Sequence, residues 1–148
     1  MNGFVDLHCH ILPEVDDGPS SVDEAVELVL GLERLGFSDL YPTPHQKPGS
    51  WMPTANQTME AANKLRDALN KIPAEITVHD PAGEIMWGDR LLAPKMEGVP
   101  RYPGDAAFLL EFTPFAVPIN LRHHFYDFQV AGSLPVVAHV ERYQHITD

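Results

Sequence analysis

Cysteine is almost absent from this chain. One, Cys9, occurs in 148 residues, so no disulfide can form within the chain and a reducing compartment is expected. Basic residues are scarce too, with 10 Lys and Arg against 21 Asp and Glu and a net charge of -11. Binding to a nucleic-acid backbone depends on clustered Lys and Arg, so nucleic acid is excluded as a partner, whereas bound cations would relieve part of the acidic excess. No apolar run approaches the roughly 20 residues a membrane helix needs, and the start MNGFVDLHCH has neither the basic head nor the long apolar stretch of a secretory signal. A cytoplasmic chain without membrane insertion is expected. Repeats, linkers and low-complexity tracts are missing as well, and a hydrophobic fraction of 44% is ordinary for a globular protein, so residues 1–148 are read as one domain with a real core.

What is present gathers first in DLHCHILPEVDDG, residues 6–18. In an extended strand side chains alternate, so Asp6, His8 and His10 project to one face and Leu7 and Cys9 to the other. Two imidazoles then converge on one point beside carboxylates, a ligand set that zinc, manganese and iron accept. Cys9, on the opposite face, reads as a small buried side chain rather than a nucleophile.

The rest of the chain alternates strand and helix. GFVDLHCHI is a short apolar strand, and SSVDEAVELVLGLERLGF is a helix opened by a Ser21–Glu24 capping box, striped by Val22, Ala25, Val29 and Leu32, and stopped by Gly36. FSDLYPTPH is a second strand delivering His45 through a proline-stiffened loop, and TANQTMEAANKLRDALNKI a second amphipathic helix. EITVHDPAGEIMW, AAFLLEF and LPVVAHVER read as three more strands, with NLRHHFYDFQVAG a helix between the last two, capped by Asn120 and stopped by Gly132. Such alternation implies a parallel sheet, whose ligand sites lie at the carboxyl ends of its strands. His8, His10, His45, Glu84, Glu111 and His139 all fall at those ends. Merely structural ionisable groups there would cost stability, because buried charge without a partner is expensive. Asp17 joins them as a candidate ligand, although Asp-Asp-Gly is also an ordinary turn. His123 and His124 are adjacent on a helix and read as solvated, and His79, Asp80 and His145 have no supporting spacing. Arg142, just past His139, could take a phosphate bidentately or pair with Glu141 or another acid.

DLHCHILPEVDDGPSS, YPTPH, AGEI, LLEF and VVAHVERY, in this order and at these intervals, resemble the polymerase and histidinol phosphatase (PHP) family. They are most similar to its bacterial protein-tyrosine phosphatase branch, which is associated with capsule and exopolysaccharide synthesis. The resemblance covers nearly the whole chain. HxH alone is weak, since amidohydrolases share it, but VDDG after it and AHVERY near the end are specific to the branch. The resemblance implies an α/β fold, a distorted (β/α) barrel of the PHP type, holding a divalent metal cluster, first manganese, with iron or zinc as alternatives. It implies His8, His10, Asp17, His45, Glu84, Glu111 and His139 as metal ligands and Arg142 as the phosphate-binding catalytic arginine. It also implies hydrolysis of phosphotyrosine by metal-activated water, with a polysaccharide-assembly tyrosine kinase as the partner protein.

The family continues to an Asp-x-His ligand pair and a further arginine, whereas this sequence ends at HITD after its fifth strand. A barrel cut off at that point, with its C-terminal part missing, is therefore expected, and with it a homo-oligomer or a metal-binding remnant too open for turnover. An amidohydrolase-like hydrolase is the other enzyme reading. It commonly wants a lysine at a middle strand end, and Lys47, Lys64, Lys71 and Lys95 fall in loops or helices.

Overall fold

The computed structural model describes residues 3–92 and 96–143, so Lys95 and His145 lie outside the described residues. Its elements are β1 (Phe4–Cys9), α1 (Val22–Arg34), β2 (Phe37–Pro42), β3 (His45–Gln46), α2 (Ala55–Leu69), β4 (Thr77–Val78), β5 (Glu84–Met86), β6 (Ala107–Glu111), α3 (Leu121–Val130) and β7 (Leu134–Val137). Two 3₁₀ turns, Asp89–Leu91 and Val140–Arg142, complete the set.

All strand pairs are parallel, in one sheet of order β1-β2-β4 and another of order β3-β5-β6-β7. The division has a local cause. Pro42 and Pro44 have no N–H to donate to the neighbouring line of chain, so the ladder breaks there. Their carbonyls still accept, from Ala82 N at 2.9 Å and Glu84 N at 3.0 Å, while His79 N donates to Leu40 O at 2.9 Å. β2 with β3 is thus one strand line and β4 with β5 another, and five lines run side by side in chain order. This mixed α/β, parallel architecture agrees with the alternation read from the sequence. β1 and β7 are the outer strands, each paired on one side only among the described residues.

Why these segments take these shapes is mostly local. Ser21 caps α1 by accepting from Glu24 N at 3.2 Å, but the expected capping box is displaced, because the Glu24 carboxylate takes Ser20 N and Ser20 Oγ, both at 2.7 Å. Gly36, at φ 96°, stops the helix in the left-handed region that glycine enters without penalty. α2 opens with a complete capping box between Thr54 and Gln57. Asn120 precedes α3 as expected, yet it is left-handed at φ 67° and its side chain caps nothing; only its carbonyl takes up His123 N and His124 N. The last expected strand is also shorter than LPVVAHVER. It ends at Val137, because His139 turns left-handed at φ 32° and starts the 3₁₀ turn.

Cys9, Leu40 and Val78 on the strands pack against Ala25, Val29, Ala62 and Leu65 on α1 and α2. Phe108, Leu110 and Phe112 pack with Phe128 of α3 and with Tyr143. Each fully buried Val, Leu or Phe side chain among them contributes about 1.5–3 kcal/mol. These two clusters fix the strands from the helix side and leave the carboxyl ends free for polar groups. No helix among the described residues is long and apolar enough to cross a membrane.

Candidate metal centre

The seven candidate ligands come together. β1 presents His8 and its continuation His10; β3 and β5 open on His45 and Glu84, which are paired in register; β6 closes on Glu111; and His139 follows β7. With Asp17, Gly18, Glu141 and Arg142 they line one cavity of about 690 Å³. His10, Glu111 and His139 sit at or just past the carboxyl ends of β1, β6 and β7 as expected, whereas His45 and Glu84 stand at the amino ends of β3 and β5, beyond the ends of β2 and β4. Cys9 faces the core, 8% exposed, with its thiol 3.5 Å from the Tyr41 carbonyl, opposite His8 and His10 as expected; Leu7, however, is 53% exposed and Asp6 does not line the cavity, the pairing of β1 being irregular between Asp6 and Cys9. Burial, with help from the Asp6 charge, keeps that thiol protonated far above its ordinary range.

Glu84 is the hub. It is 1% exposed, and each carboxylate oxygen faces two imidazoles. Oε1 lies 2.7 Å from His139 Nε2 and 3.2 Å from His8 Nε2; Oε2 lies 3.0 Å from His45 Nδ1 and 3.3 Å from His10 Nε2. Of the four approaches, only that of His139 Nε2 has hydrogen-bonding geometry. His45 Nδ1, despite its 3.0 Å approach, has no partner of hydrogen-bonding geometry, and neither has Glu111 Oε1, although both atoms are buried. Orphaned donors and acceptors inside a polar cavity are rare in native proteins.

Three groupings have ligand atoms within 4.8 Å of one another: His8, His10 and Glu84; His10, Asp17 and His45; and His45, Glu84 and Glu111. His10, His45 and Glu84 each belong to two of them. Mixed imidazole and carboxylate donors suit manganese, iron or zinc, and the orphaned His45 Nδ1 and Glu111 Oε1 are the atoms a cation would take up, so these residues fit a divalent metal cluster.

The electrostatics of the site follow from the same crowding. Burial alone would neutralise Glu84, but His10, His45 and His8 outweigh it and hold its carboxyl well below the usual range. For His10 burial favours the neutral ring, yet the hydrogen bond with Asp16 and the nearby Glu84 carboxylate push it up to about 10. His45 is raised as well, chiefly by Glu84 against burial. Glu111 is raised by burial and by the Glu84 charge. A cluster that draws protons to its histidines in this way offers negative charge that a cation would satisfy instead.

Arg142 stands at the rim and makes no ion pair among the described residues, so the salt bridge with Glu141 is not formed. His139, in the left-handed region sparsely used by non-glycine residues, is held there at the site itself. His123 is exposed on α3, 3.7 Å from Asp127, and the adjacent His124 ring lies 4.9 Å from the Trp87 ring; neither lines the cavity. His79 pairs with Asp39 at 2.8 Å and stacks on Tyr41, away from the cavity. No lysine lines the cavity among the described residues, which removes the main requirement of the amidohydrolase reading.

Three neighbours of the ligands escaped the sequence reading. Asp16 lies 2.7 Å from His10 Nδ1, the Tyr143 hydroxyl lies 3.3 Å from His139 Nδ1, and Trp51 stacks on His45 at 5.2 Å. The doubled aspartate was a signal for the first. Tyr143 and Trp51 gave none, since an aromatic residue reads as core unless its polar atom is seen to reach a partner.

Residues 4–148 match a family model described as capsular polysaccharide synthesis, CpsB/CapC. The tyrosine-protein phosphatase YwqE of Bacillus subtilis is 32% identical over 147 residues, which cover 98% of this chain and 57% of that protein. The tyrosine-protein phosphatase CpsB of Streptococcus pneumoniae is 24% identical over 140 residues, covering 95% of this chain and 58% of that protein. A solved structure from work on YwqE and CpsB, described there as unique metal-dependent tyrosine phosphatases, superposes with a TM-score of 0.86 at 31% identity and covers 97% of this chain and 58% of that one. The chain thus spans a little over half the length of these relatives.

Proposed function

Because this chain belongs to the CpsB/CapC family of capsular polysaccharide synthesis, we propose that it carries the metal centre of a protein-tyrosine phosphatase. In this reading His8, His10, Asp17, His45, Glu84, Glu111 and His139 hold divalent cations, manganese first, with iron or zinc as alternatives. The strands belong to a distorted (β/α) barrel of the PHP type. The substrate is a phosphotyrosine protein, a polysaccharide-assembly tyrosine kinase, met in the cytoplasm, and the chain associates with copies of itself. One observation carries the proposal: the buried carboxylate of Glu84 faces four imidazoles, an arrangement that makes poor hydrogen bonds and good coordination.

Bound divalent ions supply an acidified water as nucleophile and neutralise phosphoryl charge. The chain's own residues do the rest. Glu84, belonging to two of the three groupings, spaces them; Asp17, whose side chain is 53% exposed, closes the mouth of the cavity across from His45. Arg142, unpaired among the described residues, is free to take two phosphoryl oxygens, where a planar guanidinium binds best. Cys9 supplies no nucleophile, since its thiol is buried and protonated.

Hydrolysis of p-nitrophenyl phosphate by the purified chain tests this. Turnover that requires manganese, stops with EDTA and survives thiol alkylation is the expected result. Hydrolysis abolished by alkylation would refute it. A second reading is a metal-binding chain without turnover, in which the three groupings hold cations but no phosphoester is hydrolysed. Manganese bound without hydrolysis would decide for that reading.

A further inference from the structure

Asp16 and Asp17 are chemically identical neighbours with opposite environments. The Asp17 side chain is 53% exposed, with Oδ1 3.5 Å from His45 Nε2, whereas that of Asp16 is fully buried. The Asp16 carboxylate is also fully used. Oδ2 lies 2.7 Å from His10 Nδ1 and accepts from His45 N at 3.0 Å; Oδ1 accepts from Gly18 N at 3.0 Å. Gly18 makes this approach possible, because a Cβ there would stand 2.6 Å from the His10 carbonyl oxygen. The loop is pressed against the end of β1, and the carboxylate is pressed between His10 and His45.

From this geometry we infer that Asp16 is a positioning residue for the metal centre: it holds the His10 proton on Nδ1, leaving Nε2 as the donor to a divalent cation, and it ties His10 to the backbone of His45. The inference rests on the proposed metal centre. Imidazole has two nitrogens, and a ring that ligates a cation gives up the proton of the ligating nitrogen and keeps the other. Nδ1 is the nitrogen with a carboxylate hydrogen bond, to Asp16 at 2.7 Å, whereas Nε2 points into the cavity, 3.3 Å from Glu84 Oε2, where a cation shared with Glu84 would replace its proton. Without Asp16 both tautomers and more than one ring orientation become available, and each costs affinity. The bond to His45 N adds a second constraint, since the His10 and His45 rings, 4.5 Å apart, both contribute to the grouping that includes Asp17. An outer carboxylate of this kind typically supports metal affinity by 10- to 100-fold.

Zinc, which is diamagnetic, serves as the probe. In the zinc-loaded chain, long-range ¹H–¹⁵N spectra should show His10 protonated at Nδ1 with Nε2 ligating. Asp16→Asn, which retains an acceptor for Gly18 N, should keep the far-UV circular dichroism of the parent and bind zinc about 10- to 100-fold more weakly by calorimetry. A parent chain that takes up no zinc would overturn the metal-centre reading itself. A parent that binds zinc with His10 protonated at Nε2, or an Asp16→Asn variant that binds as tightly as the parent, would overturn the role of Asp16 alone. Should the variant fail to fold, the tautomer in the parent decides.

Discussion

Replacing Glu84 by Gln changes one oxygen for an amide nitrogen of nearly equal size and removes the only charge that faces all four imidazoles. The contact with full hydrogen-bonding geometry is to His139 Nε2 at 2.7 Å, and a hydrogen bond to a charged group contributes about 1.5–3 kcal/mol. With that hydrogen bond to a charged group lost, the variant should unfold about 1.5–3 kcal/mol more easily near pH 6 in EDTA. The pH dependence has a definite sign. His10, raised to about 10 from an ordinary 6.5, contributes stability that is full below about 6.5 and is lost as pH rises toward 10. Glu84, held below its ordinary 4.5, contributes above that value and loses its contribution as pH falls. The gap between parent and variant should therefore be widest near pH 6 and narrow toward pH 10, read by urea unfolding in EDTA. Since Glu84 belongs to two of the three ligand groupings, calorimetry should also show fewer manganese ions bound per chain. A variant with parental stability at pH 6 and parental metal stoichiometry would refute the assignment of Glu84 as the hub.

Cys9→Ser should leave manganese content and any aryl-phosphate hydrolysis intact, since the thiol faces the core; loss of activity with metal retained would point to cysteine chemistry instead. Gly18→Ala should weaken manganese binding more than it weakens the fold, because its Cβ meets the His10 carbonyl oxygen at 2.6 Å; calorimetry beside thermal unfolding separates the two effects. Arg142→Ala should change folding stability by no more than about 0.5 kcal/mol, since the guanidinium makes no ion pair among the described residues, while raising KM for p-nitrophenyl phosphate.

The strand lines and the gathering of His8, His10, Glu111 and His139 on one side could be read from residue order because two simple rules act together, whereas Asp17 lies in a loop and His45 and Glu84 open their strands, outside both rules. Alternation sends His8 and His10 one way and Cys9 the other, and a parallel sheet brings the carboxyl ends of all its strands to one side. What escaped depends on contacts distant in sequence. Whether Asp16 or Asp17 turns inward is decided by how the loop closes on the His10 carbonyl, which Gly18 permits. Tyr143 reads as an apolar residue until Phe112 N is found 3.0 Å from its hydroxyl and His139 Nδ1 3.3 Å from it. The splitting of five strand lines into seven segments follows from proline N–H groups missing on the side that faces a neighbour, and a one-dimensional pattern does not tell which side that is. Asn120 looks like a cap by residue type, yet its left-handed backbone turns the side chain away from the first helical N–H groups.

Elemental analysis of the purified chain after manganese loading and gel filtration addresses the metal centre without relying on turnover. At least one ion per chain should remain bound, and exchanging His8 and His10 together for Ala should abolish that retention while the far-UV circular dichroism stays that of the parent. A chain that retains no manganese, and takes up neither zinc nor iron on titration, would contradict the metal centre and every role assigned to its residues.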